Sequence, residues 1–107
     1  MRFEIVLAPS AAKELRTLRA DIRARVRDAI ERHLRHEPTR VSRSRIKRLR
    51  GIEKPQFRLR VDEVRVFYDV IETTVEVLAI VPKAQAAAWL AEEALPSPSS
   101  GSGEGQG

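Results

Sequence analysis

The sequence predicts an α+β domain: a mostly antiparallel four-stranded sheet with an N-terminal helical hairpin on one face and a short C-terminal helix. Three observations carry this. Apolar residues recur at helical spacing between residues 11 and 34, and at strand spacing between residues 57 and 81. An irregular basic stretch at 39–55 separates the two regimes. Helices and strands grouped in this way place the helices on one side of the sheet. At 107 residues the chain has room for one core.

Phe3 to Ala8 is a short apolar run that reads as a buried strand, stopped by Pro9. Ser10 is a candidate N-cap for a helix whose stripe is Ala11, Leu15 and Leu18. Asp21 is a candidate cap for a second helix with Ile22, Val26, Ala29, Ile30 and Leu34 on one face. Pro38 ends it. So short a link between helices predicts an antiparallel hairpin. Residues 39–55 hold seven Lys and Arg against one acid and read as a loop pinned by Ile46, Leu49 and Ile52. Phe57, Leu59 and Val61 then alternate with Gln56, Arg58 and Arg60, the period of a half-buried strand. Asp62-Glu63 and Glu72-Thr73 are tight connections on either side of Val64–Ile71. Thr74–Val81 is almost continuously apolar, as expected of a central strand. Residues 83–94 are strong helix formers. From Pro96 onward the chain has no apolar side chain, so the folded domain is expected at 1–95 and a disordered tail at 96–107.

Charge narrows the function. Residues 1–65 carry 19 Lys and Arg against nine acids, a net of +10, whereas 66–107 carry one against six, a net of −5. One basic surface facing a polyanion is the natural reading, and nucleic acid is the expected polyanion. There is no cysteine, which excludes disulfides and thiolate metal sites. No His, Asp and Glu cluster has metal-ligand spacing, and no small-molecule cofactor is expected. The opening residues lack a signal-peptide core and no apolar run approaches a membrane span, so a cytoplasmic protein without membrane contact is expected.

Three segments in order resemble the RelE/ParE toxin superfamily, over about Phe3 to Leu90. They are the first helix, Ser10-Ala11-Ala12-Lys13-Glu14-Leu15-Arg16-Thr17-Leu18; Lys47-Arg48-Leu49-Arg50-Gly51, similar to the family's K-x-L-x-G; and the hairpin from Phe57 to Val70, similar to Y-R-L-R-V-G-D-Y-R-V-I-Y-E-I. The resemblance implies a RelE-like fold and the toxin of a type II toxin–antitoxin system. It implies a metal-independent endoribonuclease that cuts messenger RNA in the ribosomal A site, with ribosome and mRNA as targets and a cognate acidic antitoxin as partner. The superfamily also contains gyrase poisons of the ParE type, and a catalytically weak, binding-only member is a further alternative.

On the matching positions, the resemblance assigns Arg58, Arg60 and Arg65 to the scissile phosphate and its transition state. Arginine suits this role, being a planar fork of donors that stays charged. The same property makes it a poor general base, and the base is left unassigned. RNA contacts are expected from Arg43, Arg45, Lys47, Arg48, Arg50 and Lys54 in the basic stretch, from Tyr68 at the family's tyrosine position, and from Lys83 and Trp89. After the last strand the family's arginine and tyrosine positions hold Ala84 and Leu90. Lys83 offers a charge one residue away, and Trp89 offers either a stacking surface for a base or a packing contact with the sheet. His33 and His36 are expected away from the arginines.

Overall fold

The computed structural model describes residues 1–98. In chain order the elements are β1 (Glu4–Leu7), α1 (Pro9–Thr17), α2 (Ala20–Leu34), β2 (Ile46–Arg48), β3 (Ile52–Lys54), β4 (Phe57–Val61), β5 (Val64–Ile71), β6 (Thr74–Pro82), α3 (Lys83–Glu93) and β7 (Leu95–Pro96). The main sheet has the order β1-β6-β5-β4-β2. Its pairings are antiparallel except β1 with β6.

The α+β architecture is the expected one, but the sheet has five strands. The fifth, β2, is drawn from the basic stretch, and of its three residues only Ile46 is buried. An edge strand needs one anchoring side chain and main-chain bonds, so its apolar pattern is too sparse to read. The helices also begin differently. Ala8, not Ser10, caps α1, with Pro9 in the first turn, where a missing N–H costs nothing. Arg19 caps α2, and Asp21 sits in its first turn beside Arg19.

Strand periodicity sorts the core. Phe57, Leu59 and Val61 of β4 and Val64, Val66 and Tyr68 of β5 pack with Leu15, Val26, Ile30 and Leu34 of the helices. In β6 the register slips between Phe67–Ala79 and Tyr68–Val77, leaving Leu78 as a bulge. The Glu14 carboxylate accepts the Ile80 N–H at 2.8 Å there, and the Ser10 hydroxyl donates to the Leu78 carbonyl. One extra residue inverts the alternation. Val75, Val77 and Ile80 therefore all face the helices, while Ala79 and Val81 face the other side. This accounts for the almost unbroken apolar run in that strand.

The expected tail boundary also moves. Pro96 pairs with Ile52 in the small β3–β7 sheet, and the Ser97 N–H donates to the Gly51 carbonyl. Main-chain bonds hold this segment without any apolar side chain. The rest of the expected tail, 99–107, lies outside the described residues.

Candidate nucleic-acid interface

Arg58 and Arg60 alternate with the buried residues of β4 and so stand on the face away from the helical hairpin. The antiparallel register puts Arg60 directly across from Arg65, and Arg58 across from Phe67. Residues opposite each other in a ladder share a face. Lys47 of β2 is paired with Arg58 on the other side. Four cations from three adjacent strands are thus gathered on one surface.

Among the described residues none of them has an anionic partner. Asp62, two residues from Arg60, is tied to Arg25 at 2.9 Å. Asp69 accepts the Gln56 N–H at 2.7 Å and lies 4.0 Å from Lys54. Arg65 is only 6 % exposed, yet its guanidinium donates only to the carbonyls of Asp62 (2.8 Å) and Val64 (3.1 Å). Arg58 is half-buried, and its Nε is buried with no acceptor. Burial first, then the charges of Arg65 and Arg60, lower the Arg58 pKa below the ordinary arginine value. Buried cations without counter-ions are costly, and an incoming anion removes that cost. The surface is therefore built to receive negative charge. Exposed ion pairs of little consequence would instead have engaged these arginines with Asp62, Glu63 or Asp69.

The other residues expected in the interface divide. Lys83 is exposed at the same end of the sheet, where its N–H donates to the Glu63 carbonyl at 2.7 Å. Arg43, Arg45 and Arg50 are exposed on the segment around β2. Arg48 points to the opposite face, its guanidinium 5.2 Å from the centre of the Phe57 ring. Lys54 lies 4.0 Å from both Asp69 and Glu76 and is neutralised there. The basic stretch is therefore not one continuous patch.

Tyr68 is a correction. It is fully buried on the helix side, stacked on Phe57 at 5.5 Å, and its hydroxyl donates to the Pro38 carbonyl at 2.6 Å. Burial pushes the phenol pKa well above its usual value. Tyr68 is three residues on from Arg65, and an odd step along a strand changes face. It therefore cannot share a surface with the arginines or contact RNA from this position.

Trp89 is half-buried, and its ring lies flat on Phe67, with centroids 4.9 Å apart and planes 7° from parallel. The ring that was a candidate for base stacking is taken up in holding α3 on the sheet. Trp89→Ala is expected to lower the unfolding free energy by about 2 kcal/mol, whereas Trp89→Phe, which keeps an aromatic pair, costs less than about 1 kcal/mol. Urea melts compare the two; equal stability would mean that this ring contributes nothing to holding α3.

Neither histidine is on the arginine face: His33 is in the last turn of α2, which packs on the other side of the sheet, and His36 contacts the Met1 carbonyl. Sequence reasoning did not find Asp69, a buried carboxylate whose pKa is raised chiefly by burial. It also missed Gln56, whose side chain accepts the Val70 N–H. Nothing in their local spacing signals either role. Among the described residues no three His, Asp or Glu side chains gather as a metal site requires, and no helix is long and apolar enough to cross a membrane.

Comparison with known proteins agrees with this fold. No curated protein matches the chain at a significant level of sequence similarity. The toxin–antitoxin complex RelBE2 of Mycobacterium tuberculosis contains a chain 26% identical, with a TM-score of 0.63, over 77% of this chain and 99% of that one. The E. coli toxin RelE, as a mutant in the free state, matches at 26% identity and a TM-score of 0.64, over 86% of this chain and 94% of that one. The RelB–RelE antitoxin–toxin complex of Methanococcus jannaschii shares the fold at 19% identity and a TM-score of 0.62, over 78% and 96%. A family model described as the ParE toxin of the type II toxin–antitoxin system parDE matches residues 5–87, most of the chain. The chain thus belongs to the ParE toxin family, within the RelE/ParE superfamily of type II toxin–antitoxin toxins.

Proposed function

We propose that this toxin is a ribosome-dependent mRNA endonuclease that arrests translation in the cytoplasm and is silenced by a cognate acidic antitoxin. The observation that carries the reading is the set of guanidinium groups of Arg58, Arg60 and Arg65 on one face with no carboxylate partner. In the reaction, a 2′-oxygen attacks the adjacent phosphorus and gives up its proton. The P–O5′ bond breaks and the 5′-oxygen gains a proton. The three arginines hold the phosphate and stabilise the additional charge of the phosphorane, an effect that grows in a water-poor site. Tyr68 is buried and both histidines are off the arginine face, while Asp62 is held by Arg25. These groups therefore do not supply the two proton transfers, and the base and acid are left unassigned.

The same shortage of acid–base side chains, with Ala84 and Leu90 after the last strand, favours a second reading: a protein-binding inhibitor of DNA gyrase, or a member that binds without cutting. Induction in a bacterial host separates them. Messages truncated within codons at the A site are expected, and broken chromosomal DNA with intact messages would overturn the nuclease reading. An antitoxin is supported by neighbours solved as toxin–antitoxin complexes and by the unneutralised cations, which suit an acidic segment. Co-expression of an acidic protein encoded beside this chain is expected to restore growth.

A further inference from the structure

The arginine cluster does not use all the unpaired positive charge of the fold. A cleft of about 390 Å³ opens between the last turn of α2 and the 42–46 turn, lined chiefly by Arg32, His33, Arg40, Ser42, Ser44 and Arg45. It lies on the helix side of the β2 edge. Two of its cations are neutralised, Arg32 by Asp28 at 3.3 Å and Arg40 by Glu37 at 3.1 Å. Among the described residues the Arg45 guanidinium has no partner, and the His33 ring is half-buried without a hydrogen bond. The Ser42 hydroxyl accepts the N–H groups of Arg45 and Ile46, at 3.1 and 3.2 Å, and keeps its own proton to donate.

Arg45 and Ser44 also line a neighbouring cavity of about 280 Å³ together with Arg60 and Asp62. They therefore connect the arginine face to the His33 cleft around the β2 edge. At Ile46 that edge is closed to another strand. The outward N–H of Ile46 goes to the Ser42 hydroxyl and its carbonyl to the Ser42 N–H. What remains on offer along the edge is charge, which suits a polyanion passing round it rather than an added strand.

We propose that the cleft between α2 and the 42–46 turn is a second phosphate subsite, in which Arg45, His33 and Ser44 hold the RNA backbone after it leaves the arginine cluster. This rests on the RNA-binding reading above and extends it to a strand that turns around the sheet edge. His33 makes the subsite sensitive to pH. Burial first, then Arg45 and Arg32, lower its pKa below 6.5, with Asp28 acting in the opposite sense. Glu37 and Arg40, already paired to each other, complete the charged groups around it. A phosphate beside His33 favours the imidazolium, so binding takes up a proton and strengthens as the pH falls.

The test is fluorescence anisotropy of the full chain with a labelled single-stranded RNA of about 12 nucleotides, over a range of salt, at about pH 7.5 and about pH 5.5. Arg45→Ala and Arg45→Gln are expected to weaken binding on the order of tenfold and to reduce the slope of log K against log salt by about 0.7. The wild type is expected to bind several-fold tighter at the lower pH, an increment lost in His33→Gln and kept in His36→Gln. An unchanged salt slope in both Arg45 variants, or a pH effect that survives His33→Gln, overturns the subsite. Arg58→Ala, measured in the same assay and for cleavage on programmed ribosomes, keeps the two readings apart. If it binds RNA and cuts on the ribosome like the wild type, the nuclease site is refuted while the Arg45 and His33 results still decide the subsite.

Discussion

Arg58→Met is expected to lose about 10²–10³-fold in RNA cleavage, the scale of removing one preorganised donor to a developing anion, while gaining about 1 kcal/mol of stability. The two effects have one cause. Arg58 is half-buried, its Nε has no acceptor, and Arg65 and Arg60 add like charge. The free protein therefore holds an uncompensated cation whose use is realised only when a phosphate arrives. Methionine keeps much of the stem volume and removes the charge. Arg58→Lys should fall between, retaining a cation but losing the planar fork that can bind two phosphate oxygens. Cleavage assays on programmed ribosomes paired with urea melts give both numbers. A variant that is less stable and still cuts would mark Arg58 as a structural residue and remove the argument for the site.

Tyr68 should behave in the opposite way. Tyr68→Ala is expected to cost about 3–5 kcal/mol, the range for emptying a large aromatic site in a packed core, and this is enough to unfold many domains of this size. Tyr68→Phe keeps the ring on Phe57 but strands the Pro38 carbonyl, at a cost of about 1–2 kcal/mol. The folded fraction of the phenylalanine variant is expected to cut RNA at the wild-type rate, because the hydroxyl lies on the far face of the sheet from the arginines. Wild-type stability with lost cleavage would instead give the phenol a part in the chemistry.

These two residues show where sequence reasoning holds and where it stops. Arg58 and Arg60 are two apart in an alternating strand, so their shared face follows from the pleat alone. Tyr68 was placed with them by family resemblance, although its odd spacing from Arg65 sets it on the other side. Trp89 could stack on a base or on the protein, and only the position of Phe67 beneath α3 decides which. Lys54 and Arg48 belong to one basic stretch, but one is neutralised by Asp69 and Glu76 and the other lies over Phe57. Composition counts such charges together, whereas pairing across strands determines which of them remain available.

By itself the sequence determined the α+β class, the helical hairpin, the three-strand meander and the cationic first half of the chain. Each follows from local periodicity or from summed charge, and neither needs long-range information. Only the tertiary structure decided the β6 bulge at Leu78, the recruitment of β2 as a fifth strand, and which arginines lack a counter-ion. Those features depend on contacts between residues far apart in the chain, where a single carboxylate such as Glu14 or Asp69 fixes register or cancels charge in ways that no short window of sequence contains.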